Sequence, residues 1–243
     1  MDGADDGNRL SFDVLLSMDD TQPRERPMIA ENIFQQLRHM ELSSWSLSIH
    51  RRVRDVIGKI KPLSVAEIGG FIGLRTSWLF DLIEREQWKP NQYLICEQGP
   101  KFGVILKRLI QRYDYAAFCD VIIQSPIPFL QEYSLWKQTQ FIHSDEHQGY
   151  FQHNIDVFIV DSTIDDFIET LQHCIKQLSA GGYVITVEPD VPLEDEDTSS
   201  PEVQHKIEMF NDWMQLIRDT KDKHEIGFTP LHEGTLVVWR LTD

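Results

Sequence analysis

The feature that most limits what this chain can fold into is an alternation of short apolar runs with longer amphipathic ones, beginning near residue 64. "LSVAEI", "QYLICE", "AAFCDVII", "DVFIVD" and "GYVITVE" are too short for helices and rich in β-branched residues, so each reads as a strand buried on both faces. Between them, "LRTSWLFDLIEREQ", "PKFGVILKRLIQRY", "IPFLQEYSLW" and "IDDFIETLQHCIKQL" carry apolar residues at helical spacing, and "PEVQHKIEMFNDWMQLIRD" follows the fifth run. Strands that alternate with helices in this way make βαβ units, a parallel sheet with helices on both faces. The ending departs from the pattern: "HEIGFTPL" and "GTLVVWRL", joined through "HEG" with no helix between, form a hairpin that adds an antiparallel strand. Ahead of the first strand, Ile29, Ile33, Phe34, Leu37 and Met40, and then Leu47, Ile49, Val53, Val56, Ile57 and Ile60, mark two leading helices. The expected fold class is α/β, a doubly wound sheet, mostly parallel with an antiparallel C-terminal hairpin, preceded by helices.

A chain of 243 residues with 41% hydrophobic content can bury one sizeable core. We therefore expect a single domain over residues 28–243, with leading helices in 28–61 and the sheet core in 64–243. Residues 1–27, acidic and broken by "TQPRERP", read as loosely held or as a lid. The formal net charge of -16 repels phosphate backbones and anionic bilayers, which argues against general nucleic-acid binding. The acidic N-terminus lacks the basic region of a signal peptide, and no apolar run reaches the roughly 20 residues of a membrane span. Cys96, Cys119 and Cys174 form no CxxC pair, and three leaves one odd, which points to buried thiols in a reducing compartment. The expectation is a soluble, cytoplasmic protein with no membrane partner, and a homodimer is compatible with it.

The turn after the first strand narrows the function. It reads Glu67-x-Gly69-Gly70-x-x-Gly73 and opens a helix whose first N–H groups have no partner in the helix. This is neither the G-x-G-x-x-G of dinucleotide sites nor a P-loop, and an acid at this point repels pyrophosphate and suits a ligand carrying a cation. A turn whose glycines only pack is the structural alternative. Glu97, ending the second strand, stands about where a ribose-binding carboxylate is expected, its two oxygens matching two ribose hydroxyls.

These residues resemble the class I S-adenosylmethionine-dependent methyltransferases, with their Rossmann-like sheet, and among them the O-methyltransferases of the catechol and caffeoyl-coenzyme A kind. The resemblance runs from about Met28 to the C-terminus and rests on "AEIGGFIGLRTSWL", "ICEQGPKFGVILKRLI", "DVFIVD" and "LSAGGYVITVE". It implies that Glu67, Gly69, Gly70 and Gly73 surround the methionine part of the cofactor, joined by Asp161, that Glu97 binds its ribose, and that Gln124 and Ser125 lie beside the adenine. It implies a small-molecule acceptor, most simply a hydroxyl. In metal-dependent members the acid ending the fourth strand and an Asp-Asn pair ending the fifth hold Mg²⁺. Asp161 matches the first, but "TVEPD" puts Val187 and Glu188 where the pair belongs, so a Mg²⁺ site would be Asp161, Glu188 and Asp190. The family's lysine three residues after the first ligand is Ile164 here, and no Asn-Pro-Pro-aromatic motif follows the fourth strand. Without a metal, a base has to come from elsewhere, and the insertion before the fourth strand offers His143, with His147 and His153. Asp161 and His143 are the expected catalytic residues, and Trp45, Arg51, Arg52, Arg54 and Trp213 candidates for the acceptor side. The alternative is a methyltransferase fold kept as a binding or regulatory subunit.

Overall fold

The computed structural model describes residues 10–140, 149–191 and 198–242. Seven strands form one sheet in the order β3-β2-β1-β4-β5-β7-β6. Strands β1 (Ser64–Ile68), β2 (Gln92–Cys96), β3 (Cys119–Ile122), β4 (Val157–Val160) and β5 (Tyr183–Val187) run parallel. β7 (Gly234–Leu241) lies antiparallel to β5 and to β6 (His224–Leu231), so the terminal hairpin is where the chain pattern put it. The order reverses between β1 and β4, which creates the crevice at the strands' carboxyl ends where such sheets bind ligands.

Side-chain alternation along the strands divides the core in two. Val65, Tyr93, Ile95, Val157, Ile159, Ile185 and Val238 face one way, toward α2 (Met28–His39), α3 (Leu47–Ile60), α4 (Leu74–Glu86) and α5 (Pro100–Tyr113). Ala66, Ile68, Leu94, Phe158, Val160, Val184 and Trp239 face the other way, toward α6 (Pro126–Thr139), α7 (Phe167–Gln177) and α8 (Pro201–Thr220). Glu67 shares the parity of Val65, so its carboxylate is directed into the layer beneath α4 and not out beyond the sheet.

Residues 10–27 pack against the body of the fold. The short α1 (Phe12–Leu15) packs Leu15 and Leu16 into the core, and a Cβ at Gly227 would strike Phe12 and Leu16. Cationic side chains tie its carbonyls down: Lys59 donates to the Val14 and Ser17 oxygens at 2.9 and 2.6 Å, Arg54 to Pro23 at 2.6 Å, and Arg240 to Leu10 at 2.6 Å. The acidic composition suggested a detached segment because it does not register these backbone acceptors, which the arginines and lysine of other elements satisfy. Trp213 is likewise a core residue, fully buried and edge-on to Trp239 at 5.4 Å, and does not border an acceptor cavity. All three cysteines are free and buried. No helix among the described residues is long and apolar enough to cross a membrane.

Candidate functional site

The parallel strands end along one rim, and each of β1, β2 and β4 delivers an acid to it or just short of it. Glu67 is fully buried and accepts three hydrogen bonds: from Arg75 Nε at 3.0 Å, Thr76 Oγ1 at 2.8 Å and the Tyr93 hydroxyl at 2.8 Å. Arg75, in the first turn of α4, is buried as well. Its Nη1 donates to Asp161 Oδ2 at 2.8 Å and its Nη2 to the Gly69 carbonyl at 2.7 Å, while the guanidinium lies 4.5 Å from the centre of the Trp45 ring. Burial opposes the charge of Arg75, but Glu67 and Asp161 outweigh it and hold its pKa above the ordinary arginine value. Burial first, and the Glu67 carboxylate next, push the Tyr93 phenol well up. The other Asp161 oxygen accepts from the Thr163 amide at 3.0 Å and its hydroxyl at 2.8 Å. The cation that the acid of the glycine turn calls for is therefore supplied from inside the chain. Sequence reasoning passed over Arg75 entirely.

The turn itself is shaped by packing as much as by approach to a ligand. Gly69 and Gly73 have φ of +80° and +87°, a region that side chains with a Cβ rarely adopt. A Cβ on Gly70 would stand 2.4 Å from Ile95 Cγ2 and 2.9 Å from Leu106 Cδ1, so this glycine lets α5 and β2 close on the turn. Gly70→Ala should destabilise the fold by about 1–3 kcal/mol through this overlap. Urea titration checks it, and a midpoint equal to that of the parent would contradict the packing account. Ile164 is buried, and its Cγ2 lies 2.9 Å from where a Gly69 Cβ would be.

Glu97 is buried beside this turn, and its carboxylate is oriented by two backbone amides, Phe71 N–H at 2.7 Å and Gly99 N–H at 2.7 Å. Burial raises its pKa, against which these two amide bonds work. A carboxylate has about four acceptor positions, so two remain for a diol. The Gln124 amide donates to the Glu97 carbonyl at 3.2 Å, which fixes the next loop against the same residue. The Gln124 side chain reaches out to Glu132 at 2.8 Å, and Ser125 is the N-cap of α6. Glu97 thus keeps acceptor positions that suit the ribose of S-adenosylmethionine. The amino-acid end of that cofactor has no comparable room: the cavity between Trp45, His50, Gly69, Gly70, Arg75 and Asp161 is about 20 Å³, room for one water.

The donors for Mg²⁺ fit no better. Both Asp161 oxygens are engaged, and among the described residues no group of three or more His, Cys, Asp or Glu side chains could hold a metal ion. Glu188 and Asp190 instead line a neighbouring cavity of about 360 Å³, together with Trp45, Ser162, His205 and Lys206. The Trp45 indole donates to Ser162 at 3.2 Å, so this ring forms a wall between that cavity and the guanidinium. Arg54 is buried in a pair with Asp55 at 2.7 Å, and Arg52 bonds the Leu16 carbonyl; with Arg51 they line a separate cavity of about 200 Å³ and not the one beside Glu188. His143 and His147 lie outside the described residues. The His153 amide donates to Gln92, at the opposite end of the strands, so His153 is remote from this rim.

The sheet order, its switch point and the antiparallel last strands are those of the Rossmann-like methyltransferase fold. Solved structures agree on the fold. A Staphylococcus aureus chain described as a candidate caffeoyl-CoA O-methyltransferase superposes with a TM-score of 0.67 at 12% identity, covering 87% of this chain and 91% of that one. The O-methyltransferase of Bacillus cereus in complex with SAH gives 0.62 at 15% identity and 94% coverage of both chains. TomG of Streptomyces achromogenes, an O-methyltransferase of tomaymycin synthesis solved with SAM, gives 0.65 at 14% identity, covering 90% and 92%. No family model matches the chain, and no curated protein matches it in sequence.

Proposed function

We propose that this chain is an S-adenosylmethionine-dependent methyltransferase that acts on a hydroxyl of a small molecule. The observation that carries the reading is Glu97, a buried carboxylate preset by two backbone amides at the rim where the sheet order reverses. The cavity of about 360 Å³ next to Asp161 is in the size range of small-molecule sites, and Trp45, Ser162 and Glu188 give it one aromatic wall and polar contacts. When bound, the cofactor supplies a methyl group already activated on a sulfonium. The solved neighbours that carry SAM or SAH share this fold and support the choice of cofactor.

Titration calorimetry with S-adenosylhomocysteine tests the reading. Binding should be measurable in the parent protein and fall by about 100-fold or more in Glu97→Ala, since two charge-assisted bonds to the ribose are lost. Equal affinity in the two proteins would remove Glu97 from the site. Methyl transfer from labelled S-adenosylmethionine to a panel of hydroxylated aromatics then tests the acceptor class. The alternative, a methyltransferase fold kept for binding or regulation, is not favoured by the solved neighbours. Turnover of any acceptor in the panel would end it.

A further inference from the structure

Arg75 neutralises the buried Glu67, and the cofactor reading above gives it no further part. Its guanidinium takes up the buried Glu67 carboxylate and, at the rim, the Asp161 carboxylate and the Gly69 carbonyl, the two groups there suited to receive an alkylammonium. The Trp45 ring covers it, and only about 20 Å³ stays open around it. Swinging the side chain out would strand Glu67, which is fully buried, without a counter-charge. The seat is therefore filled and costly to empty, while Glu97 on the nucleoside side keeps free acceptor positions.

We propose that Arg75 is an affinity- and specificity-determining residue: it acts as a tethered competitor for the ammonium of the cofactor's amino-acid end, so that the chain holds an adenine nucleoside by its ribose and gains little from the amino-acid tail. The inference rests on the cofactor reading above and concerns which part of that ligand the protein recognises. A cofactor with its full tail has to displace the guanidinium from three partners at once. A 5′-thioether nucleoside without the tail has nothing to displace.

The experiment compares S-adenosylhomocysteine with 5′-deoxy-5′-methylthioadenosine by calorimetry on the full chain and on Glu67→Gln/Arg75→Ser. The paired substitution avoids a stranded charge, because the carbonyl of the introduced glutamine can still accept from Thr76 and Tyr93 while its amide turns to the vacated space. The parent should bind the two ligands within about threefold of each other. The double variant should gain about 30-fold or more for S-adenosylhomocysteine, one or two recovered charge-assisted bonds, and stay within about threefold for the tail-less nucleoside. A parent that binds S-adenosylhomocysteine about 100-fold tighter than the tail-less nucleoside overturns the inference and leaves the cofactor reading standing, as does a folded double variant with no gain. Binding of neither ligand by the parent overturns both. Should the double variant fail to fold, the ratio in the parent still decides.

Discussion

Arg75→Ala should lower the free energy of unfolding by about 3–5 kcal/mol, the usual cost of removing one partner from a buried ion pair. The reason lies in Glu67: fully buried, it would keep its bonds to Thr76 and Tyr93 but lose its counter-charge. Asp161 would lose less, because Thr163 continues to hold its other oxygen. Adding Glu67→Gln to Arg75→Ala should recover a large part of the loss, since the charge that has become costly is then gone. Urea denaturation with an unchanged slope measures both. If the double variant were no more stable than Arg75→Ala alone, the destabilisation would come from lost packing of the arginine stem and not from the carboxylate.

Most of the fold was readable from period alone. Short β-branched runs gave the parallel strands, and the uninterrupted pair of runs at the end gave the hairpin, because a parallel sheet needs its alternation of strands and helices. The interior of the site was harder to read. In "GLRTSWLF" an arginine in a first helical turn looks like a solvated residue, and nothing local says otherwise. The signal was parity: Glu67 falls two residues after Val65 in a strand buried throughout, so it had to face the helix layer and needed a cation from it. Arg75, eight residues on, is the cation that meets it. Trp213 was misread for the opposite reason. It follows the acidic stretch after the fifth strand in sequence, but on α8 it shares a face with Met209, Leu216 and Ile217, all packed in the second core layer. The Mg²⁺ triad drawn from Asp161, Glu188 and Asp190 took strand-end acids as free ligands, whereas hydrogen bonding had already committed the first of them.

The other large effect should appear with acid. His50 on α3 is buried between Trp45 and Trp78, stacked on the latter at 6.2 Å, and neither of its ring nitrogens has a hydrogen-bond partner among the described residues. Burial first, then the nearby Arg75 and Arg26 charges, lower its pKa to about 3. In the unfolded chain it titrates near 6.5. Between those values the unfolded state takes up a proton that the folded state refuses, so stability falls as pH falls. The loss from this one residue is about 2 kcal/mol at pH 5 and about 4 kcal/mol near pH 3. Glu97 works the other way, because its raised pKa lets the folded state bind a proton before the unfolded state does. Comparison with His50→Leu isolates the histidine: at pH 7.5 the variant should be at least as stable as the parent, since it leaves no unpaired ring nitrogens, and between pH 7.5 and 5 it should lose about 2 kcal/mol less. Equal losses in the two proteins would mean that His50 finds a proton acceptor in the folded state, and that the wall beside Arg75 is wetter than its packing implies.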